Sequence, residues 1–563
     1  MAASLHRSSH RAAQRSAIRL RWLPVAALFA IALLLRLSWL RSHSAVIEGE
    51  GCEYVRIARN LVQGHGYRGL MEGPELVYPP LLPLLIAALS FPAGGFEAAA
   101  RVVALIGGMA LVAAIFVLTR HLYGRRVALI AAALAAAHPL FISLSTAVYS
   151  EALYLPLLLW GTYQALRAAE SARPARAVLC GALLALAYLT RPDGILVGCL
   201  AVGAILVAAP FGHVPFRRAL FAGTLVLGSF VILAAPYVGY LSEHAGRFLL
   251  EGKSGMNLTI GERIDAGMSH LEATDGLGRH LEEDGPWLSP NHFVAGSRPQ
   301  PWSAVASDWI DNARRNKGQL FRSLMVSPAF GSFLMVALAT LGLFRRPWGR
   351  WRWVREGTLL AIVFGYVAIL LGQHYVPFRF LLPLLPFIVV WTAKGISEAA
   401  QWTGASLRRA VGSRATRWRL HEATVGVLLT VASLLVAVRG GTDEIQATSP
   451  QEERLDGELK SAGLWIAQFQ AHSRSVMSDS NLGPYYARCL RFVFPYTDEH
   501  TALAYVRWKS PDFLVLAHDT AFPYERKWVE CGIPDTSAVL VYCGGRGLDD
   551  EVAVYEWRKR GRR

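Results

Sequence analysis

Apolar stretches of bilayer-spanning length recur along most of this 563-residue chain, and that repetition leaves few folds open to it. Spans are expected near residues 21–40, 98–119, 127–146, 149–168, 176–190, 193–210, 219–240, 324–344, 357–372, 380–398 and 422–438. Only 17% of the chain is charged, against about 25% in soluble chains, and 53% is hydrophobic. The arginines test the span set. With the basic N-terminus (Arg7, Arg11, Arg15, Arg19, Arg21) in the cytoplasm, alternation puts Arg120/Arg125/Arg126, Arg217/Arg218, Arg345–Arg355 and Arg408–Arg419 on that same side. Cytoplasmic loops of membrane proteins carry this excess. The net charge of +16 is thereby assigned to lipid headgroups and requires no nucleic-acid partner.

The resulting expectation is a mainly α, polytopic membrane protein of about eleven transmembrane helices, lying in the inner or plasma membrane. Residues 1–20 form a cytoplasmic basic N-terminus and 21–440 a transmembrane domain with extracytoplasmic loops 41–97 and 241–323. The first run is read as a retained span, because no small-residue cleavage site follows it. Residues 441–563 change character. An amphipathic helix over 456–470 and strands at 474–477, 513–516 and 538–542 predict a small extracytoplasmic α/β domain. Cys531–Cys543 is a plausible disulfide there, with Cys489 left over.

The residues that break the hydropathic pattern sit on the expected outer side. Glu48, Glu50 and Glu53 crowd the segment just after the first span, and charge so close to hydrocarbon is costly. Gly49 and Gly51 give Glu48 and Glu50 backbone freedom to turn into a site. A short helix should follow, with Glu53, Arg56 and Asn60 on one face, lying along the membrane interface. Tyr149-Ser150-Glu151 opens a span, where a carboxylate also suits the helix N-terminus. Arg191 and Arg379 are arginines on the wrong side for the orientation rule. Arg191 has Asp193 two residues away, whereas the Gln373–Arg379 turn, which includes His374, offers Arg379 no acid nearby in sequence. A guanidinium at headgroup level is a planar fork that fits phosphate.

Carboxylates to accept a hydroxyl proton and arginines to hold a departing phosphate suit sugar transfer from a lipid phosphate. The first loop, Glu50 to Tyr67 followed by Tyr78-Pro-Pro-Leu-Leu-Pro83, resembles that of GT-C membrane glycosyltransferases, closest to the bacterial protein-mannosyltransferase and aminoarabinose-transferase-like set (glycosyltransferase family 39/83 type). Ser150-Glu-Ala-Leu-Tyr154, Leu189-Thr-Arg-Pro-Asp-Gly194 and Arg379-Phe-Leu-Leu-Pro-Leu-Leu-Pro386 extend the resemblance over residues 20–400. It implies an inverting transferase that uses a polyprenyl-phosphate sugar and a lipid, glycan or protein acceptor, with no cofactor or at most a weak divalent-metal dependence. Glu50 stands where the family usually has Asp, so the base is Glu50 or Glu151, with Glu48 assisting. Arg191 and Arg379 bind the donor phosphate, and Tyr54, Tyr67, Tyr149 and His374 contact substrate. Trp287, His292, Trp302 and Trp309 in the 241–323 loop are candidates to cover the acceptor groove. The rival class is a polytopic transporter or lipid-sugar flippase, which would carry charges at mid-membrane and repeated halves. Neither feature is present in the sequence.

Overall fold

The computed structural model describes residues 2–42, 46–47, 49–211, 214–277, 302–325, 332–345, 348–374, 376, 378–411, 415–445, 450–468, 475–518, 520–545 and 551–559. Each of the expected spans contains helix, and seven helices are long and apolar enough to cross a membrane: Trp22–Ser42, Phe96–Tyr123, Gly194–Phe211, Phe216–Ala245, Arg350–Leu371, Arg379–Ser406 and His421–Arg439. Pro174–Tyr188 and Phe333–Phe344 are apolar but shorter.

The continuous span expected over 127–146 is divided in two. Helix Arg125–Ala137 stops at His138, and Pro139 opens a six-residue helix ending at Leu144. Proline has no N–H to continue the ladder and clashes with the preceding turn. The carbonyls freed at the break are taken up by Arg36, wholly buried, which donates to Ala136 O at 3.0 Å and to Ser145 Oγ at 3.0 Å.

Gly49, at φ 45°, makes the turn into helix Glu50–Val62, whose first-turn Glu50 and Glu53 complement the helix N-terminus. This helix was expected to carry Glu53, Arg56 and Asn60 on one face, and on that face Glu53 is 5% and Asn60 7% exposed. Their side chains brace the loop that follows: Asn60 donates to Arg68 O at 2.7 Å, and Glu53 accepts from Leu70 N at 2.8 Å. The polar face is buried because the C-terminal residues cover it.

Those residues form a five-stranded sheet of β1 (Ser475–Met477), β2 (Leu490–Phe492), β3 (Phe513–Ala517), β4 (Ala538–Gly544) and β5 (Val552–Trp557), in the order β2-β1-β3-β5-β4. β2, β1 and β3 run parallel, while β5 is antiparallel to both β3 and β4. Strands β1, β3 and β4 fall where the hydrophobic pattern put them, and the expected amphipathic helix spans Pro450–Ala467. β2 and β5 were not foreseen. All six cysteines are free, correcting the suggested Cys531–Cys543 pair. Cys531 ends a helix packed on β3, whereas Cys543 lies on β4 beyond the intervening β5.

One apolar core runs through both the first loop and this sheet. Ile47, Cys52, Tyr54 and Val55 share it with Leu482, Tyr485 and Val515. Polar ties reinforce the join: Ile47 N donates to Tyr486 Oη, Asn481 Nδ2 to Gly49 O at 3.1 Å, and Arg491 N to Leu70 O at 2.8 Å.

Candidate active site

Five distant segments bring their charges together at one end of the helix bundle. Glu151, fully buried in the first turn of its helix, accepts from Arg379 at 2.6 and 2.8 Å and from Arg191 at 2.5 Å. Arg379 also donates to Glu50 Oε2 at 2.9 Å, and Glu50 Oε1 lies 3.4 Å from Lys253 Nζ. Arg191 pairs with Asp193 at 3.1 Å, as the local spacing allowed. The acid missing from the sequence around Arg379 is therefore supplied from more than 200 positions away, by Glu151 and Glu50. Three carboxylates and three cations close the network.

The two candidate bases differ in surroundings. Glu151 is sealed and fixed by both arginines, whereas the Glu50 side chain is 23% exposed and lines a cavity. Burial by itself raises the Glu50 carboxyl, but Lys253, Arg379 and Arg191 outweigh it and bring it down to about 2. Glu50 is thus ionised in the resting protein and held by cations.

Aromatic rings support the cations. Tyr149 lies under Arg379, with its ring 4.4 Å from the guanidinium carbon, while Tyr154 and Phe380 flank Arg191 at 5.7 Å. Tyr54 is buried against Tyr78, and the Tyr67 hydroxyl donates to Tyr78 O at 2.6 Å. Both therefore support the wall of the cavity, which Tyr78 itself lines. His374 stands apart from the ion network, 3.5 Å from Asp265. Glu48, Trp287 and His292 lie outside the described residues. Trp309 donates to Ala368 O at 2.9 Å at the end of a neighbouring helix. Among the described residues, no three His, Cys, Asp or Glu side chains gather as a metal site.

Lys253 was missed in the sequence. It reaches Glu50 because Gly252 lets the chain pass against Leu76 O, which a Cβ there would meet at 1.7 Å. The Gly252-Lys253 step is the only local signal. Glu75, Asp275, Asn481 and Arg491, which share the cavity with Glu50, were also missed. Of these, only Glu75 sits beside a legible feature, the Gly73-Pro74 turn.

Known structures share this architecture. The archaeal oligosaccharyltransferase AglB from Archaeoglobus fulgidus, in complex with an inhibitory peptide and a dolichol-phosphate, superposes with a TM-score of 0.55 at 14% identity, over 89% of this chain and 70% of that one. ArnT from Cupriavidus metallidurans bound to undecaprenyl phosphate gives 0.53 at 13% identity, over 94% of this chain and 97% of that one. The chain has the GT-C membrane glycosyltransferase fold. Within this GT-C chain, residues 77–240 match the family model described as dolichyl-phosphate-mannose-protein mannosyltransferase. No curated protein matches it significantly in sequence. Seven helices long and apolar enough to cross a membrane, set in this fold, mark the chain as a multi-pass membrane protein.

Proposed function

We propose that this protein is an inverting glycosyltransferase that moves a sugar from a polyprenyl-phosphate carrier to an acceptor hydroxyl outside the cytoplasm. One observation carries the reading: Arg379 joins a sealed glutamate, Glu151, to a part-exposed one, Glu50, that opens onto a cavity. Lipid phosphates bound to AglB and ArnT, whose fold this chain shares, support a donor of that class. In this scheme Arg191 and Arg379 take the donor phosphate. Glu151 orients their guanidinium forks, and Glu50 is the base.

The low proton affinity of Glu50 then has a use. The donor's phosphodiester monoanion draws on the charge of Arg379, and the carboxylate that Arg379 held becomes a stronger proton acceptor. The acceptor hydroxyl gives its proton to Glu50 as its oxygen bonds to the anomeric carbon. The bond from that carbon to the phosphate oxygen breaks on the opposite face, and the electron pair leaves with the phosphate, stabilised by the two arginines. The reaction as proposed uses side chains alone, with no resident cofactor.

The test is consumption of labelled polyprenyl-phosphate sugars by the purified protein in lipid, with a membrane extract as acceptor source and Glu50→Gln as comparison. Wild-type turnover that vanishes in the variant and survives a chelator is expected. Equal rates in both proteins would remove Glu50 as base.

A further inference from the structure

Next to Glu50 lies a cavity of about 330 Å³, walled by Gly49, Glu53, Gly69, Met71, Gly73, Glu75, Val77, Tyr78, Asp275, Asn481 and Arg491. It is at the lower end of the range for small-molecule sites. Two of its polar residues, Asn481 and Arg491, come from the C-terminal α/β region. Asp275 comes from a third segment, whose carbonyl accepts from Tyr496 N at 2.8 Å. The cavity therefore exists only where the first loop, the Ser269–Asp275 segment and the C-terminal sheet meet.

Polar side chains reach it from all three segments, beside the apolar Met71 and Val77. Glu53 and Glu75 converge over Gly69: a Cβ there would lie 2.5 Å from Glu53 Oε2 and 2.8 Å from Glu75 Oε2. Each carboxyl is held from behind by backbone, Glu53 by Leu70 N and Glu75 by Val77 N and Tyr78 N, at 2.7 to 3.0 Å. Burial, and for Glu75 the neighbouring Glu53, raises the proton affinity of both. Both carboxyl groups close on one point beside Gly69, and with one of them protonated the pair offers a donor and an acceptor together. Asn481 offers the same duality, and Arg491 contributes a guanidinium positioned by its bonds to Asn481 Oδ1, the Asp479 carbonyl and Ser478 O. Tyr78 adds an aromatic residue to the lining. Donors and acceptors gathered beside an aromatic residue match a ligand whose groups each donate and accept, as the hydroxyls of a saccharide do.

We infer that this cavity is the acceptor-saccharide subsite, and that Asn481 and Arg491 of the C-terminal region are part of it. The inference rests on the transferase reading. Glu50 stands between the cavity on one side and Arg379 on the other, which is the position of a base between acceptor and departing phosphate.

The experiment measures binding and turnover separately. Saturation-transfer NMR with methyl hexosides, disaccharides and a serine-containing peptide is run on the wild type, Glu75→Gln and Gly69→Ala, each checked for an unchanged melting temperature. Glu75→Gln keeps an oxygen for Val77 N and Tyr78 N but replaces the other carboxyl oxygen with an amide, and Gly69→Ala places a methyl against both carboxyls. Saccharide binding to the wild type, weakened about tenfold or more in both variants (about 1.4 kcal/mol), is expected, with the acceptor KM rising and the donor KM unchanged. Binding of the peptide alone, or a rise in donor KM instead, would overturn the assignment. Saccharide binding without consumption of any donor would sink the transferase reading and leave a saccharide site, so the two failures are told apart.

Discussion

Helix Glu151–Ser171 carries a glutamate near each end, about 28 Å apart at the usual rise per residue, and the two ends are wired differently. Glu170 receives Arg355 at 2.8 Å and His121 at 3.0 Å, with Arg167 at 3.8 Å. Close by in sequence to those partners, Glu356 accepts from Tyr123 and from Trp391 Nε1 at 2.9 Å. These contacts fasten the helices Phe96–Tyr123, Arg350–Leu371 and Leu385–Val411 to one another, and each carboxylate is an endpoint. At Glu151 the chain of charges continues: Arg379 passes from Glu151 to Glu50, and Glu50 opens onto a cavity. Ion pairs alone do not separate a tie from a site, since both ends have short ones. The separating feature is a charged group with one side held and the other free to meet a ligand.

Exchanging the glutamates tests this contrast most sharply. Glu50→Gln should lower sugar transfer by about 10²–10⁴-fold, the usual contribution of a general base. Glu170→Gln should lower the melting temperature and leave donor consumption unchanged. The arginines come next. Arg379→Ala leaves the buried Glu151 with Arg191 alone and should lower the melting temperature, so it cannot by itself report on donor binding. Arg379→Lys keeps the charge but loses the fork and should raise the donor KM about tenfold, one charged hydrogen bond's worth. Arg355→Lys should leave that KM alone.

A smaller effect is expected from pH. Burial raises the Glu50 carboxyl, the three cations bring it down to about 2, and a base works only when deprotonated. The acid limb of kcat/KM in the wild type should therefore lie below the ordinary carboxylate range. Lys253→Met removes one cation and should move that limb to higher pH. The sign for stability agrees: a lowered carboxyl stabilises the fold above its unfolded value of 4.5, and this is lost as pH falls toward 2. The smallest effect belongs to the tie. Trp391→Phe removes the donor to Glu356 and should cost about 1–3 kcal/mol of stability with no change in turnover.

How much of this could be read beforehand follows from the range over which each signal acts. Helices announce themselves within about 20 residues, so every expected span contains helix. Arg191, Arg379, Glu50 and Glu151 stood out because each violates a local expectation for its side of the membrane. What joins them is invisible locally: Arg379 looked unpaired because its acids lie 228 and 329 positions away. The cover over the polar face of helix Glu50–Val62 was equally invisible, since it comes from residues more than 400 positions later. Arg491 carries no mark at all. It sits in a three-residue strand whose partner and loop contact are both set by tertiary packing. The break at His138-Pro139 was written plainly in the proline but was overridden by the apolar run around it.

The bond between Ile47 and Tyr486 spans 439 positions and has a consequence for biogenesis. At about 5–20 residues per second, a ribosome needs about 20–90 s between the two. Throughout that interval the loop bearing Glu50 has been made without the strands that brace it, and its partner arginine, Arg379, is itself a late arrival. The candidate site is braced only after the chain has reached Tyr486. A chain that has not yet reached Tyr486 therefore holds the loop bearing Glu50 without that brace.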